Sequence, residues 1–259
     1  MTNTQAPALK VAGISKRFGG LQALSDVGLT IERGQVYGLI GPNGAGKTTF
    51  FNVITGLYTP DSGSFELAGK PYEPKAVHLV AKAGIARTFQ NIRLFSDMTA
   101  LENVMVGRHV RSHSGLLGAI FRTPGFKAEE RAIAERAREL LAYVGIERYA
   151  DYKARTLSYG DQRRLEIARA LATDPQLIAL DEPAAGMNAT EKVQLRELID
   201  RIRMDNRTIL LIEHDVKLVM GLCDRVTVLD YGKRLAEGSP AEVQKDEKVI
   251  EAYLGTGGH

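Results

Sequence analysis

Three things are scarce in this sequence of 259 residues: cysteine, long apolar runs and an excess of one charge sign. Cys223 is the single cysteine, so a disulfide framework and a cysteine-based zinc site are excluded within one chain. No apolar run approaches the roughly 18 residues of a spanning helix, and the polar start from Met1 to Pro7 does not predict a signal peptide. The formal net charge of +3 is too small to favour nucleic acid as a ligand. Any role at a membrane therefore needs another subunit that crosses it.

What the sequence does contain is ordinary globular composition arranged as alternating strands and helices. Hydrophobic residues make up 44% and charged residues 25%, which excludes a disordered or fibrous chain. Aliphatic and β-branched segments predict strands at 11–18, 24–31, 36–40, 177–180, 209–212 and 226–229. The later strands alternate with helical patterns, which predicts a mostly parallel sheet covered on both faces. Between Asn91 and about Tyr152 the apolar spacing is helical and predicts an inserted α-helical block.

A complete phosphate-binding loop pattern, Gly-x-x-x-x-Gly-Lys-Thr, follows the strand at 36–40. We predict that it binds a nucleotide through nine consecutive residues: Gly41, Pro42, Asn43, Gly44, Ala45, Gly46, Lys47, Thr48 and Thr49. Glycines allow the backbone N–H groups to point inward, and the following helix directs its N-terminus at the anion. Lys47 brings positive charge to the terminal phosphates, and the Thr48 hydroxyl is suited to bind Mg²⁺.

Two carboxylates, Asp181 and Glu182, end the apolar strand at 177–180. Ligands of open α/β sheets bind at the carboxyl ends of the strands. At such a place Asp181 suits Mg²⁺, and Glu182 suits polarisation of an attacking water. Alone, the pair is equally compatible with a solvated strand end. Together with the phosphate loop it predicts phosphoryl transfer.

The segment 157–164, Leu-Ser-Tyr-Gly-Asp-Gln-Arg-Arg, resembles the signature of ATP-binding-cassette (ABC) ATPases. It lies between the phosphate loop and the acidic strand, as in that family, and its serine is also a favourable helix N-cap. Further segments resemble other family elements: Gln90 in the Q-loop, 184–188 in the D-loop, the switch histidine His214, and Phe18, an aromatic that stacks on adenine or, alternatively, a core residue. The resemblance implies an α/β P-loop NTPase with a mostly parallel sheet, an N-terminal antiparallel β subdomain and an inserted α-helical subdomain.

The same resemblance implies domain limits and residue roles. The limits are 1–90 for the first part of the nucleotide-binding core, 91–160 for the α-helical signature subdomain, and 161–259 for the second part of the core with the C-terminal tail. The expected catalytic residues are Glu182, His214, Lys47 and Gln90, and those expected to attend Mg²⁺ are Thr48, Gln90 and Asp181. Ser158 and Gly160 are expected to contact ATP held by a second subunit, so that two nucleotides lie in a two-fold interface.

Four segments, at 87–95, 163–169, 181–186 and 252–255, narrow the resemblance to the ATPases of branched-chain amino acid importers. The implied partners are membrane permease subunits, a second ATPase subunit (a homodimer or a paralogous heterodimer) and, indirectly, a periplasmic or extracellular solute-binding protein. The implied location is peripheral, at the cytoplasmic face of the cell membrane. Similar subunits serve uptake of urea and short-chain amides or export of lipopolysaccharide. Asp161, Asn188 and Ala189 depart from common family residues, which leaves the coupling between the two sites open.

A basic stretch predicts a further surface, and three alternative functions are disfavoured. The stretch 104–127 carries arginines and no acidic residue, which predicts either a surface for the permease or lipid headgroups, or a solvated loop. A soluble cassette ATPase of translation or DNA repair is disfavoured because the chain has one cassette and a short insertion. A GTP switch is disfavoured because no Asn-Lys-x-Asp sequence is present. A binding module without catalysis is disfavoured because Glu182 and His214 are intact.

Overall fold

The computed structural model of the chain describes residues 6–111 and 124–254. Most of the apolar part of the basic stretch, together with Arg122, lies outside the described residues, as does the tail 255–259. Within the two described ranges, none of the helices combines the length and the apolar character that crossing a bilayer requires.

Near the N-terminus the described residues form a four-stranded antiparallel sheet. Its strands are β1 (Leu9–Phe18), β2 (Leu21–Ile31), β4 (Ser62–Leu67) and β5 (Lys70–Tyr72). They lie in the order β2-β1-β4-β5, with Leu9 opposite both Ile31 and Leu67. This sheet matches the N-terminal β subdomain that the family resemblance implies.

A second sheet of six described strands forms the centre of the fold. Its strands are β3 (Val36–Ile40), β6 (Ile85–Arg87), β7 (Leu177–Asp181), β8 (Thr208–Ile212), β9 (Arg225–Asp230) and β10 (Lys233–Gly238). They lie in the order β10-β9-β3-β8-β7-β6, and all neighbours are parallel except β9 and β10. Every residue of β3, β7 and β8 is buried, in keeping with sequences that are apolar apart from Asp181 at the end of β7 and Thr208 at the start of β8.

Helices cover both faces of the central sheet. They are α1 (Lys47–Ile54), α2 (Val77–Ala83), α3 (Ala100–Arg108), α4 (Pro124–Tyr143), α5 (Tyr159–Leu171), α6 (Ala189–Met204), α7 (Val216–Leu222), α8 (Pro240–Val243) and α9 (Glu247–Leu254). Phe50 of α1 shares one apolar cluster with Leu9 of β1 and Leu210 of β8, so α1 joins the two sheets. Leu165 of α5 shares the other cluster with Ile209 of β8. Since successive strand residues point to opposite faces, the two clusters lie on opposite sides of the central sheet.

Side-chain caps fix where most helices near the site begin. Ser158 accepts the N–H of Asp161 at the start of α5, and Asn188 forms a reciprocal cap with Glu191 at the start of α6. The first residue before α1 is Gly46, which offers no side-chain cap. The N-terminal N–H groups of α1 are therefore not matched to a capping side chain as those of α5 and α6 are.

The structure confirms the predicted α/β class and corrects the start of the helical block. Residues 91–99 are not helical, although the prediction began the block at Asn91. Helix α3 begins at Ala100 because Thr99 and Glu102 form a capping box. Asn103 of α3 then holds the preceding loop by bonding both the N–H and the carbonyl of Phe95.

Candidate functional site

The phosphate-loop pattern connects β3 to α1, as the sequence predicts. Gly41 has a φ of 152°, and a Cβ atom there would lie 2.1 Å from the carbonyl oxygen of Leu229. Gly46 has a φ of 97°, and its Cβ atom would lie 2.8 Å from the carbonyl oxygen of Ala23. Both ends of the loop thus require glycine, because a side chain would meet neighbouring backbone and strain its own.

Lys47 crosses the interior of this loop. Its Nζ donates to the carbonyl oxygens of Gly41 at 2.6 Å and Pro42 at 2.9 Å. The residue is only 5% exposed. Burial lowers the pKa of the Lys47 ammonium, while the nearby charge of Glu182 opposes that shift. The site therefore contains a largely desolvated positive charge within reach of a carboxylate.

Glu182 lies directly after β7, at the carboxyl edge of the central sheet. Its Oε2 accepts a hydrogen bond from Gln90 Nε2 at 2.8 Å, and its Oε1 lies 2.5 Å from His214 Nε2. Its backbone has a φ of 46°, a left-handed value that is uncommon outside glycine. The structure thus brings together Glu182, Gln90 and His214, which come from three distant parts of the sequence.

Asp181, the last residue of β7, is only 4% exposed. Burial raises the pKa of its carboxyl to about 6, an effect that the charge of Arg87 partly offsets. Added positive charge would favour the ionised form of such a carboxyl. The described residues contain no group of three or more His, Cys, Asp or Glu side chains that could hold a metal ion. Oxygen donors such as Asp181 and Thr48 nevertheless suit Mg²⁺, which commonly combines few protein ligands with substrate phosphates.

Part of the phosphate loop and Glu182 line one cleft of about 510 Å³, whereas the predicted residues Gly41, Pro42 and Asp181 are not among its lining residues. The predicted residues that line it are Phe18, Asn43, Gly44, Ala45, Gly46, Lys47, Thr48, Thr49, Gln90, Glu182 and His214. Residues that the sequence did not single out line it too: Leu21, Gln22, Ala23, Tyr231 and Gly232. They come from the start of β2 and the turn between β9 and β10, where no local pattern signals a ligand.

Phe18 packs edge-on against Tyr58, with 5.1 Å between the ring centroids. The side chain of Phe18 remains accessible, with 41% of the residue exposed. This exposure excludes the alternative of a core position. Part of the Phe18 ring is available to a flat ligand in the same cleft.

Ser158 and Gly160 do not line the cleft. Ser158 Oγ donates to Asp161 Oδ2 at 2.8 Å, at the start of α5. Gly160 faces α6, where its Cβ atom would lie 2.7 Å from Glu191 Oε1. The structure therefore does not bring these two predicted ATP contacts to the phosphate loop of their own chain.

Glu213 is a buried residue of the site region to which sequence reasoning gave no role. Its Oε1 accepts the N–H of Ala184 at 2.7 Å, and its Oε2 accepts the N–H of His214 at 3.2 Å. Burial raises the pKa of Glu213, and the backbone N–H groups oppose that shift. Glu213 thus connects the segment after Glu182 to the backbone of His214. In the sequence, the only signal for this role is its position next to His214.

Similarity to known proteins agrees with this geometry. Residues 24–185 match the family model described as ABC transporter. The chain is also 47% identical over 250 residues to the high-affinity branched-chain amino acid transport ATP-binding protein BraF of Pseudomonas aeruginosa, covering 96% of this chain and 98% of that protein. The chain belongs to the ABC transporter family. This ABC ATPase binds and hydrolyses ATP, as predicted, as a subunit of a transport system. Residues 233–259 match a further model, described as branched-chain amino acid ATP-binding cassette transporter.

Solved cassettes share the fold of this ABC ATPase. A crystal structure of the ADP conformation of an ATP-binding cassette of an ABC transporter has a TM-score of 0.83 and 33% identity, covering 96% of this chain and 99% of that one. A dimeric structure of a post-hydrolysis cassette bound to ADP and Pi has a TM-score of 0.75 and 26% identity, covering 90% and 98%. The predicted fold class of a P-loop NTPase is confirmed.

Proposed function

We propose that this ABC ATPase powers the uptake of branched-chain amino acids through separate membrane permease subunits. The observation that carries ATP turnover is the convergence of Gln90, Glu182 and His214 beside Lys47. The similarity to BraF over nearly the whole chain and the match of residues 233–259 support the cargo. Uptake of urea or short-chain amides is the alternative that the test below separates from leucine uptake, and export of lipopolysaccharide is a further alternative.

In the proposed site the phosphate loop binds the β- and γ-phosphates through backbone N–H groups and Lys47. Phe18 stacks on the adenine. Thr48, Gln90 and Asp181 would hold Mg²⁺, which when bound neutralises charge on the β- and γ-phosphates. Desolvation around Lys47 and Asp181 strengthens their electrostatic interactions with such a ligand.

Glu182 is the proposed residue that orients and polarises the attacking water. A hydrogen bond from Gln90 to Oε2 and the close approach of His214 to Oε1 restrict its carboxylate on both oxygens. Because phosphoryl transfer has a loose transition state, fixed positions and charges contribute more than covalent chemistry. His214 is placed to respond to the γ-phosphate through the same carboxylate, and Glu213 holds the His214 backbone in turn.

Two chains are proposed to complete each other's sites. Ser158 and Gly160 lie away from the cleft of their own chain, which supports contact with ATP in a facing subunit. ATP would close this two-fold interface, and hydrolysis would reopen it. The facing subunit is either a second copy or a paralogous cassette. A solute-binding protein outside the membrane would act indirectly, through the permeases, and nucleic acid is not a partner.

A second cleft, largely apolar and about 270 Å³ in volume, is the proposed permease contact. Residues of α2, β6, α3 and α5 line it, and Phe89 and Phe95 belong to its wall. Apolar surface of this kind on a soluble domain commonly marks a partner site. Phe89 precedes Gln90, which lines the nucleotide cleft, so one loop contributes to both clefts. A permease segment bound here would act directly on the backbone that carries Gln90.

The domain limits 1–90, 91–160 and 161–259 and the location at the cytoplasmic face of the cell membrane belong to the same proposal. Helices α3 and α4 and the start of α5 support a helical subdomain within 91–160. Helix α5 continues past residue 160 to Leu171, so the helical part and the core share one helix.

The decisive experiment compares ATP hydrolysis with and without the co-purifying permeases. We expect permeases to stimulate turnover, and the Glu182→Gln variant to form ATP-trapped dimers without turnover. Uptake of labelled leucine and labelled urea by cells lacking the subunit then tests the cargo. Restoration of leucine uptake by the wild type alone supports the proposal. Restored urea uptake without leucine uptake would show that the cargo is urea and not a branched-chain amino acid. Full turnover with no permease recovered would overturn the transport role.

A further inference from the structure

Arg163 is a fully buried arginine on α5, five residues after the signature serine. Its side chain and that of Glu166 are 0% and 1% exposed, and Arg163 Nη1 lies 2.8 Å from Glu166 Oε2. Charges are rarely buried this completely unless they are paired and hydrogen-bonded. The pair is therefore held in one geometry. Its other hydrogen-bond partners indicate the role of that geometry.

Both members of the pair bond the backbone of the Q-loop segment, residues 88–93. Arg163 Nη1 donates to the carbonyl oxygen of Phe89 at 2.6 Å, and Nη2 donates to that of Gln90 at 2.8 Å. Glu166 Oε1 accepts the N–H groups of Phe89 at 3.2 Å and Arg93 at 3.3 Å. Side chains of one helix thus hold the segment at three residues, Phe89, Gln90 and Arg93, through four hydrogen bonds.

Gln90 is also fixed from the opposite side. The side-chain amide of Gln90 donates to Glu182 at the end of β7, while the backbone carbonyl of Gln90 accepts from Arg163 of α5. Any shift of α5 relative to the central sheet must therefore stretch either the bond to Arg163 or the bond to Glu182.

The start of α5 connects this arrangement to the dimer interface proposed above. Arg163 Nη2 also donates to the Tyr159 hydroxyl at 3.2 Å. The Tyr159 ring lies against Gly186, where a Cβ atom would come within 3.3 Å of it. Tyr159 stands between Ser158 and Gly160 in the signature. One rigid helix therefore carries the signature, touches the D-loop and holds the Q-loop segment.

We infer that Arg163, supported by Glu166, is a positioning residue that fixes Gln90 to the signature helix, so that movement of α5 at the dimer interface repositions Gln90 against Glu182. The inference rests on the proposed role of Gln90 in hydrolysis. A purely stabilising role is the competing explanation. It fits less well because buried ion pairs contribute little net stability, whereas a guanidinium bonded to two successive carbonyls sets direction as well as distance.

The test is Arg163→Lys, which keeps the charge beside Glu166 but cannot reach both carbonyls. We expect kcat for ATP hydrolysis to fall about tenfold or more, with KM for ATP within about twofold of the wild type. Amide hydrogen exchange should accelerate at 88–93 and stay unchanged in α6. The matched control is Arg136→Lys, in an exposed ion pair with Glu139 on α4, which should leave both readouts unchanged.

Unchanged kcat, or faster exchange throughout the protein together with proportional loss of activity, would overturn the inference. If Arg163→Lys does not fold, Glu166→Gln decides, because it keeps an acceptor for the two N–H groups and weakens only the hold on Arg163. A several-fold loss of kcat with local exchange supports the inference, and wild-type kinetics overturn it. Wild-type turnover measured alongside separates this outcome from failure of the proposed function, since an inactive wild type would contradict the latter alone.

Discussion

Two groups of buried charges lie on either side of Gln90, and they are built differently. Arg163 and Glu166 neutralise each other and share hydrogen bonds with the loop backbone between them. Asp181 and Glu182 instead place two like charges side by side, and burial together with Glu182 raises the pKa of Asp181. The first group is internally matched, whereas in the second the charge of Arg87 offsets the burial of Asp181 only in part, so that further positive charge from a ligand would stabilise it.

The first group is suited to fix the position of a loop, and the second is suited to bind and act on a charged ligand. A matched ion pair keeps one geometry, and its stability depends little on whether a ligand is bound. An unmatched acidic edge costs stability, and that cost is typical of sites that bind charged ligands. Substitutions in the two groups should therefore change the free energy of unfolding in opposite directions and by different amounts.

The largest expected effect is the loss of turnover in Glu182→Gln. The amide cannot accept a proton from the attacking water, and removing such a group typically slows the reaction about 10²–10⁴-fold. Phosphate release measures the effect. Equilibrium binding of ATP should stay near the wild-type value, and a parallel loss of binding would show that Glu182 holds the substrate instead.

Arg163→Met should destabilise the fold by about 3–5 kcal/mol, because it leaves Glu166 buried without its partner. Urea unfolding followed by circular dichroism gives the change. The exposed ion pair offers the comparison, since Arg136→Met should cost less than about 1 kcal/mol. Equal losses in the two variants would remove the distinction between a matched buried pair and a surface one.

Lys47→Ala should weaken ATP binding about 10–100-fold, since hydrogen bonds to charged groups contribute about 1.5–3 kcal/mol. Titration with a fluorescent ATP analogue measures the affinity. The fold itself should lose little stability, because the variant also removes a desolvated charge. A variant that binds ATP as well as the wild type does would exclude Lys47 from phosphate binding.

The smallest expected effect has the opposite sign: Asp181→Asn should make the protein more stable than the wild type. Because the folded-state pKa of Asp181 is raised to about 6 from 3.8, the wild type loses stability as the pH rises through that window. The variant lacks this loss and should gain about 1–3 kcal/mol at pH 7.5. The gain should shrink towards pH 4, and a gain that does not depend on pH would point to another cause.

The two groups also differ in how far the sequence predicts them. The phosphate loop, Asp181 and Glu182 belong to contiguous patterns whose chemistry is local, so their positions follow from the strand and helix that flank them. The contact between Arg163 and Phe89 joins segments far apart in the chain, and an arginine that follows a signature is indistinguishable from a solvated one. Its burial depends on how α5 packs against β6, which no spacing in the sequence encodes.

The same limit applies to the fold. Four strands of the central sheet, β3, β7, β8 and β9, have largely apolar centres, so they could be predicted closely. Strands β4, β5, β6 and β10 were not predicted individually, because they are short or partly exposed, or contain glycine or proline. Their pairing partners, rather than their own composition, make them strands.

The missing side-chain cap at Gly46 makes nucleotide a ligand of folding as well as of catalysis. A phosphate that satisfies the first N–H groups of α1 binds the native chain and not the unfolded one. By mass action, nucleotide at 100 times its Kd would add about 2.7 kcal/mol to the free energy of unfolding. The melting temperature should therefore rise with ADP concentration. A thermal-shift titration then measures affinity even in variants that no longer hydrolyse ATP, which makes the uncapped helix a convenient built-in reporter.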